Sequence, residues 1–353
     1  MNILVAARLN SEYKLKTTLR PLVEMESVEH IYLVRRTPVD IPKTTCYCPP
    51  GILARFTLTA ELYRLLTIFT LCVVKKVHVL MGIHFVLHCV YTALAGMLFR
   101  IPLVMLIIES PDKYRAHFLF NFFLRRADLI GVRGNHSREY IAETAGIDAG
   151  KIFITPDVHD FDKARPSADT VKKYDLIFIG YYTVAKRIDI LLEVMQRLRE
   201  RMPHVRLALV GDGPLREMVC DTIRRFGLED TVDRLGFVDS IYPYLHQSRV
   251  FLMTSQTEGL PTVLLEALGC GLPFIVPDVG DMRDFAVHEE NALLYEPLNV
   301  EQCVEACERL LGDPALYRRL ALGAREMLAV KRQQHTPDAV RCLWQERLEE
   351  MVG

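Results

Sequence analysis

The feature that most constrains this chain is a rhythm. Short aliphatic or β-branched runs alternate with longer segments of helical periodicity, and the series occurs twice. In the first half the strand candidates are Ile3–Ala6, Ile31–Val34, Val77–Leu80, Leu103–Ile108, Leu129–Val132 and Ile152–Ile154. In the second they are Leu176–Ile179, Val205–Val210, Val232–Leu235, Val250–Met253, Phe274–Val276 and Ala292–Leu294. Strands separated by helices pair in parallel, because each helix carries the chain back across a face of the sheet. The expected fold class is α/β, with two Rossmann-like βαβ domains facing a central cleft. Ligands of such sheets bind beyond the carboxyl ends of the strands.

The two series part at DFDKARPSADTVKKYD, residues 160–175, which is rich in Pro, Asp, Lys and Ser and has no apolar rhythm. The expected domains are residues 1–160, a linker at 161–174, residues 175–330, and a last helix within 331–353. Thr336 and Pro337 suit the N-cap and first position of that helix, which would lie back across the first domain.

At 353 residues there is chain enough for two cores. The net charge of -1 creates no general field for nucleic acid, so any anionic ligand must be held by local groups. Nine cysteines without a CxxC pair or zinc-type spacing read as reduced, cytosolic and mostly buried. Cys303 and Cys307, four apart on a helix, read as small core residues, and no metal site is expected. The start, MNILVAARLN, has too short an apolar run for a secretory signal, and a cytoplasmic protein is expected.

Two segments bear on membranes. Val77–Phe99 runs for 23 residues without Asp, Glu, Lys or Arg, which is membrane-spanning length. Its His78, His84, His88 and Gly82 favour a strand at Val77–Leu80, a turn, and a helix at Phe85–Phe99. KYRAHFLFNFFLRR, Lys113 to Arg126, interleaves aromatic and basic residues on a helix. With Lys75, Lys76 and Arg100 it would suit peripheral contact with an anionic inner-membrane surface. Packing of Phe118, Phe122 and Phe123 on the sheet is the commoner arrangement and the one expected here.

The second half carries the chemistry. FIGYYTVAKRIDILLEV gives a strand, Gly180, then Lys186 and Arg187 ahead of a helix; cations beside a helix N-terminus suit a phosphate, or are simply solvated. GDGP, Gly211 to Pro214, is a tight βα turn that includes Asp212. Gly236 and Phe237 follow a short strand, where backbone and ring could meet a planar base or form an ordinary loop. In TEGLPTVLLEALGCGLP, Pro261 fits the first turn of a helix running to about Gly269, within which Thr262 and Glu266 are the polar residues, spaced to share a face. Between flanking glycines and strands this helix belongs to a buried layer, and a buried carboxylate needs donors such as sugar hydroxyls. Glu266 is therefore a ribose-clamp candidate. Glu258, in the loop, would meet a second polyol or its leaving group, while the free N–H groups of Leu260, Thr262 and Val263 face a diphosphate.

On these residues the chain resembles the retaining GT-B glycosyltransferases of family 4, the glycosyl transferases group 1, from about Asp175 to Leu311. The strongest part is EGLPTVLLE, Glu258 to Glu266, an E-x7-E signature followed by ALGCGLP; GDGP and LGFV (Leu235 to Val238) occur in the expected order. The resemblance implies transfer of a sugar from a nucleoside-diphosphate sugar, UDP favoured over GDP, to a hydroxyl acceptor on a glycan or lipid-linked intermediate. It implies no metal and no cofactor. Glu266 would bind the ribose, Glu258 the donor sugar, Lys186 the departing diphosphate, and Gly259, Leu260, Pro261 and Thr262 would offer backbone.

Three departures stand out. Tyr181 replaces an arginine usual after the strand glycine, with Arg187 as a substitute. The glycine-rich acceptor loop after the first strand is absent, leaving Arg8 and Asn10 as polar candidates. The family histidine after the strand near Leu80 has its counterpart in His84, with His88 competing as a core histidine. TPDVHDF, Thr155 to Phe161, resembles the family's linker loop, with Asp157 and His159 substituted. Loss of turnover would leave a noncatalytic nucleotide-sugar-binding subunit of the same fold. An epimerase of this architecture is disfavoured by the E-x7-E spacing.

Overall fold

The computed structural model describes residues 1–7, 9, 11–84, 87–114, 118–164 and 170–352. The chain divides into two units, Met1–His159 with Gln334–Gly353, and Asp160–Gln333. The first contains, in order, β1 (Asn2–Ala7), α1 (Glu12–Glu24), β2 (His30–Val34), β3 (Thr44–Tyr47), α2 (Gly51–Ala54), α3 (Thr57–Val74), β4 (Val79–Ile83), α4 (Leu87–Phe99), β5 (Leu103–Leu106), α5 (Phe118–Leu124), β6 (Leu129–Val132), α6 (Asn135–Ala145) and β7 (Ile152–Ile154). The second continues with β8 (Tyr174–Ile179), α7 (Ile188–Arg201), β9 (Leu207–Val210), α8 (Arg216–Arg225), β10 (Val232–Gly236), α9 (Tyr242–His246), β11 (Ser248–Leu252), α10 (Thr262–Gly269), β12 (Phe274–Pro277), β13 (Ala292–Tyr295), α11 (Val300–Gly312) and α12 (Pro314–Gln334). The last helix, α13 (Pro337–Val352), belongs to the first unit.

Both sheets are parallel and doubly wound. The first runs β3-β2-β1-β4-β5-β6-β7 and the second β10-β9-β8-β11-β12-β13. Their central strands are buried on both faces, which is why they read as unbroken aliphatic runs rather than as alternation. Thr336 caps α13, its Oγ1 accepting from the Ala339 N–H at 3.2 Å. Val340, Trp344 and Leu348 of α13 join the core of the first unit. There the Trp344 indole N–H donates to Thr155 Oγ1 at 3.0 Å, and its ring meets Phe153 edge-on.

Several expectations need correction. β3 was not foreseen: it is a partly exposed edge strand with Thr44 and Thr45, so it lacks the apolar run that marks a buried strand. β4 begins two residues later than expected and contains Gly82, which the sequence reading placed in a turn. A Cβ there would stand 2.7–2.9 Å from Thr92 and Cys89 of α4, so glycine lets the helix close on the strand. The 23-residue uncharged stretch thus divides between β4 and α4. Phe161–Ala164, assigned to the linker, forms a 3₁₀ turn inside the core of the second unit. Gly269 makes room for it, since a Cβ at 269 would lie 2.5 Å from that of Ala164. Residues 165–169 lie outside the described set.

The segment Lys113–Arg126 is not one described helix. Pro111–Tyr114 is a 3₁₀ turn, residues 115–117 are outside the described set, and α5 follows. Phe120 and Phe123 are buried, whereas Phe122 is exposed with the Arg126 guanidinium over its ring. All nine cysteines are free. Cys89, Cys270, Cys303 and Cys307 are buried, Cys342 is exposed and the other four are intermediate, fewer buried than expected.

Candidate active site

In the second sheet β8 and β11 are neighbours from which the strand order runs outward in both directions, so loops leaving their carboxyl ends diverge and leave a crevice. The loop after β8 brings Lys186 there, and the loop after β11 brings Glu258. Thr254 ties the two together, its hydroxyl donating to the carbonyls of Lys186 and Arg187 at 3.1 Å each, and the Gln256 N–H donates to the Ala185 carbonyl at 2.9 Å. The result is an ion pair between residues 72 apart in sequence: Lys186 Nζ donates to Glu258 Oε1 at 2.5 Å, with side chains 18% and 14% exposed.

Glycines set the walls. Gly211 sits at φ +129°, and a Cβ there would fall 1.9 Å from the Gly180 carbonyl oxygen, so the turn after β9 rests directly on the loop after β8. Asp212 shapes that turn, one oxygen accepting from the Gly213 N–H at 2.8 Å and the other from Arg216 at 3.1 Å. Gly236 needs glycine for its backbone, at φ +69°, rather than for crowding. It leads to Phe237, whose side chain is 86% exposed and open to a stacking partner.

Pro261 is buried and occupies the N-cap of α10, so the helix starts at Thr262, one residue later than expected. Helix geometry leaves the N–H groups of Thr262 and Val263 without intrahelical partners, beside Gly259 and Leu260 in the loop. Glu266 lies one turn beyond Thr262 and is half-buried, not fully buried as expected, because α10 buries Leu264, Leu265, Ala267 and Leu268 and leaves the Thr262–Glu266 edge partly open.

Arg187 is not the free cation the sequence suggested. It adopts a left-handed conformation at the start of α7, and its guanidinium grips Asp189 through both oxygens at 2.7–3.1 Å. That contact holds the Asp189 carboxyl below its usual range. Tyr181 is exposed, and its neighbour Tyr182 is wholly buried, with burial pushing its phenol up.

Four residues were missed. Gly280, at φ +55°, faces the Glu258 carbonyl so closely that a Cβ would stand 1.9 Å from the oxygen, and the Asp281 N–H donates to the Gly259 carbonyl at 3.3 Å. The turn after β12 therefore supports the Glu258 loop; a glycine followed by Asp after a strand was the available signal. Ser255 and Thr257 have buried hydroxyls without a hydrogen-bond partner among the described residues, in the segment that carries Glu258. Buried unsatisfied donors are what a polar ligand would engage.

His84 belongs to the first unit. It sits at φ +69° after β4, its N–H donates to the Leu106 carbonyl, and its Nδ1 lies 3.6 Å from Glu109 Oε1. His88 is buried on α4. Arg8 and Asn10 lie outside the described residues. Asp157 pairs with Arg133 at 2.8 Å, and its carbonyl meets His335 Nδ1 at 2.7 Å, so the Thr155–Phe161 segment anchors the approach to α13. A hollow of ≈ 630 Å³ beside β12 and β13, lined by Arg283, His288, Tyr295 and Gln302, includes none of the expected site residues.

Residues 160–327 match the family described as glycosyl transferases group 1. This span contains Lys186, Glu258 and Glu266. The chain is 30% identical over 153 residues to an uncharacterized glycosyltransferase of Haemophilus influenzae, covering 43% of each chain. It is 30% identical over 151 residues to the N-acetyl-alpha-D-glucosaminyl L-malate synthase of Bacillus anthracis, covering 43% of this chain and 39% of that one. The matches thus span less than half the length of these two relatives. Among solved structures, HepE of Anabaena, crystallised with UDP, superposes with a TM-score of 0.78 at 17% identity over 99% of this chain and 100% of that one. Sucrose-phosphate synthase of Thermosynechococcus elongatus does so with a TM-score of 0.78 at 17% identity over 99% and 98%. The fold is that of the GT-B glycosyltransferases, two parallel-sheet Rossmann-like units.

Proposed function

We propose that the protein is a retaining glycosyltransferase that moves a sugar from a nucleoside-diphosphate sugar, UDP before GDP, to a hydroxyl of a glycan or lipid-linked acceptor at the cytoplasmic face of a membrane. The observation that carries this is the Lys186–Glu258 pair at the switch point of the second sheet, beside the N-terminus of α10. A diphosphate entering there would take the Lys186 ammonium from Glu258, and the freed carboxylate would accept from hydroxyls of the donor sugar. Glu266 would accept from the ribose, and Phe237 would meet the base. As the bond from the anomeric carbon to the diphosphate breaks and one to the acceptor oxygen forms, negative charge grows on the departing diphosphate, whose phosphate oxygen would take up the acceptor hydroxyl's proton. Lys186 and the N–H groups of Thr262 and Val263 stand ready for that charge, an effect commonly worth several kcal/mol. The positive charge comes from the protein itself, so the proposed reaction needs no metal. His84, with Glu109 beside it, is the proposed acceptor-side residue.

A second reading has a specific observation in its favour. With Tyr181 in place of arginine and Arg187 held by Asp189, the diphosphate grip rests on one lysine, which would suit a noncatalytic nucleotide-sugar-binding subunit. A panel of UDP-, GDP- and ADP-sugars without added metal separates the two. Release of nucleoside diphosphate that is lost in Lys186→Met supports the enzyme; tight binding without release supports the subunit; neither binding nor release refutes both.

A further inference from the structure

Helix α3 is inverted. Its two charged residues, Glu61 and Arg64, point inward: Arg64 is 4% exposed, and its guanidinium pairs with the Glu61 carboxylate. Burial, and the same Glu61, push up the phenol of Tyr91 on α4. Leu58, Leu62, Leu66 and Val73 lie along the opposite side, all exposed, Leu58 at 82%. In water a surface helix settles the other way, because an exposed leucine forgoes burial worth about 1.5–3 kcal/mol and an enclosed charge must be compensated. Both inversions together indicate that something apolar covers the outer face. The face continues onto α4, where Leu94, Met97 and Leu98 are exposed and Phe99 meets Phe69 of α3 edge-on at 5.8 Å.

Charge decides what covers it. Arg55 precedes α3, Lys75 and Lys76 follow it, Arg100 follows α4, and all four are exposed. Between residues 51 and 108 the sequence has one carboxylate, Glu61, and Arg64 already holds it. A chain of net charge -1 thus flanks this apolar face with Arg55, Lys75, Lys76 and Arg100, none of which forms an ion pair among the described residues. A second copy placed two-fold against it would set the same cations opposite one another. The helix is long and apolar enough to cross a bilayer, at 18 residues with mean hydropathy 1.5, but Ala60, Arg64, Ile68 and Leu71 are buried against the first unit. It therefore lies along a surface rather than through it.

We propose that the α3–α4 face of the first unit docks on an anionic lipid surface, its leucines entering the headgroup–acyl boundary and Arg55, Lys75, Lys76 and Arg100 meeting lipid phosphates. This surface, not the Lys113–Arg126 segment, is the membrane-facing one, and it stands independently of the donor site. The test is flotation of the full chain with vesicles of phosphatidylcholine alone or with about 30 mol% phosphatidylglycerol. Binding is expected to the anionic vesicles, weakening in high salt. Lys75→Ala and Lys76→Ala should each lower partitioning about fivefold. Leu62→Gln with Leu66→Gln should abolish it while the Tm is held. Leu66→Trp should show a blue-shifted emission on mixing with anionic vesicles, a readout that does not depend on the glutamine variants. Four results would overturn the proposal: no flotation with anionic vesicles, equal binding by the charge and leucine variants, a solution dimer abolished by the leucine substitutions, or membrane attachment that survives alkaline carbonate.

Discussion

Replacing Glu258 by Gln gives the sharpest test of the site, because it should move two affinities in opposite directions. In the structure Glu258 holds the Lys186 ammonium at 2.5 Å with both side chains largely enclosed. Two unit charges about 3 Å apart attract by roughly 5 kcal/mol at an effective dielectric of about 20. Desolvation and side-chain ordering cancel most of that, leaving ~1–2 kcal/mol of net coupling. A nucleoside diphosphate must overcome this coupling to reach Lys186, and it must also sit near a carboxylate. Glu258→Gln removes both obstacles, so UDP alone should bind roughly 5–30-fold tighter. A UDP-sugar should gain less or lose affinity, because charge-assisted hydrogen bonds to its hydroxyls, worth ~1.5–3 kcal/mol, are weakened. Isothermal titration with UDP and UDP-glucose, at two salt concentrations, reads both. UDP affinity that is unchanged or weaker in Glu258→Gln, or unaffected by Lys186→Met, would refute the argument that this pair guards the diphosphate position.

Glu266→Ala should weaken UDP and UDP-sugar alike by roughly tenfold or more, through a lost charge-assisted hydrogen bond to the ribose, measured in the same titrations. Gly280→Ala should lower stability by at least ~2 kcal/mol, from left-handed backbone strain plus the clash with the Glu258 carbonyl, and should cost donor affinity as well; denaturant melts and titration check the two together. Trp344→Ala should cost ~3–5 kcal/mol of the first unit's stability, by cavity formation and loss of the bond to Thr155, visible as an earlier unfolding step. The pH dependence of the Arg187–Asp189 brace follows from its sign. Asp189 has a depressed carboxyl, so its contribution is complete above the unfolded Asp value of about 3.9 and is lost as pH falls through the folded value. Hydrogen exchange at the start of α7 should therefore stay slow at neutral pH and quicken only below about pH 4, and Asp189→Asn should abolish that step.

Much of the fold was legible because parallel strands buried on both faces have to be apolar almost throughout, and β1, β5, β6, β9 and β12 are, Asn2 at the start of β1 being the one polar residue in them. β3 escaped because an edge strand need not be apolar. Gly82 was misassigned because local conformation and close approach leave the same letter in the sequence, and contact with Cys89 and Thr92 decides between them. At the site, spacing alone placed Thr262 and Glu266 on one edge of α10.

Pattern and spacing thus determined the α/β class, the two strand series and the residue types able to hold a phosphate or a polyol. Tertiary structure decided the partners: Lys186 with Glu258 across 72 residues, Arg187 with Asp189, Gly280 beneath the Glu258 loop, and charges turned inward on α3. The division has a physical cause. Periodicity records which face of an element avoids water, whereas which side chain meets which across the sheet depends on strand order, and strand order is set by long-range pairing that no local segment encodes.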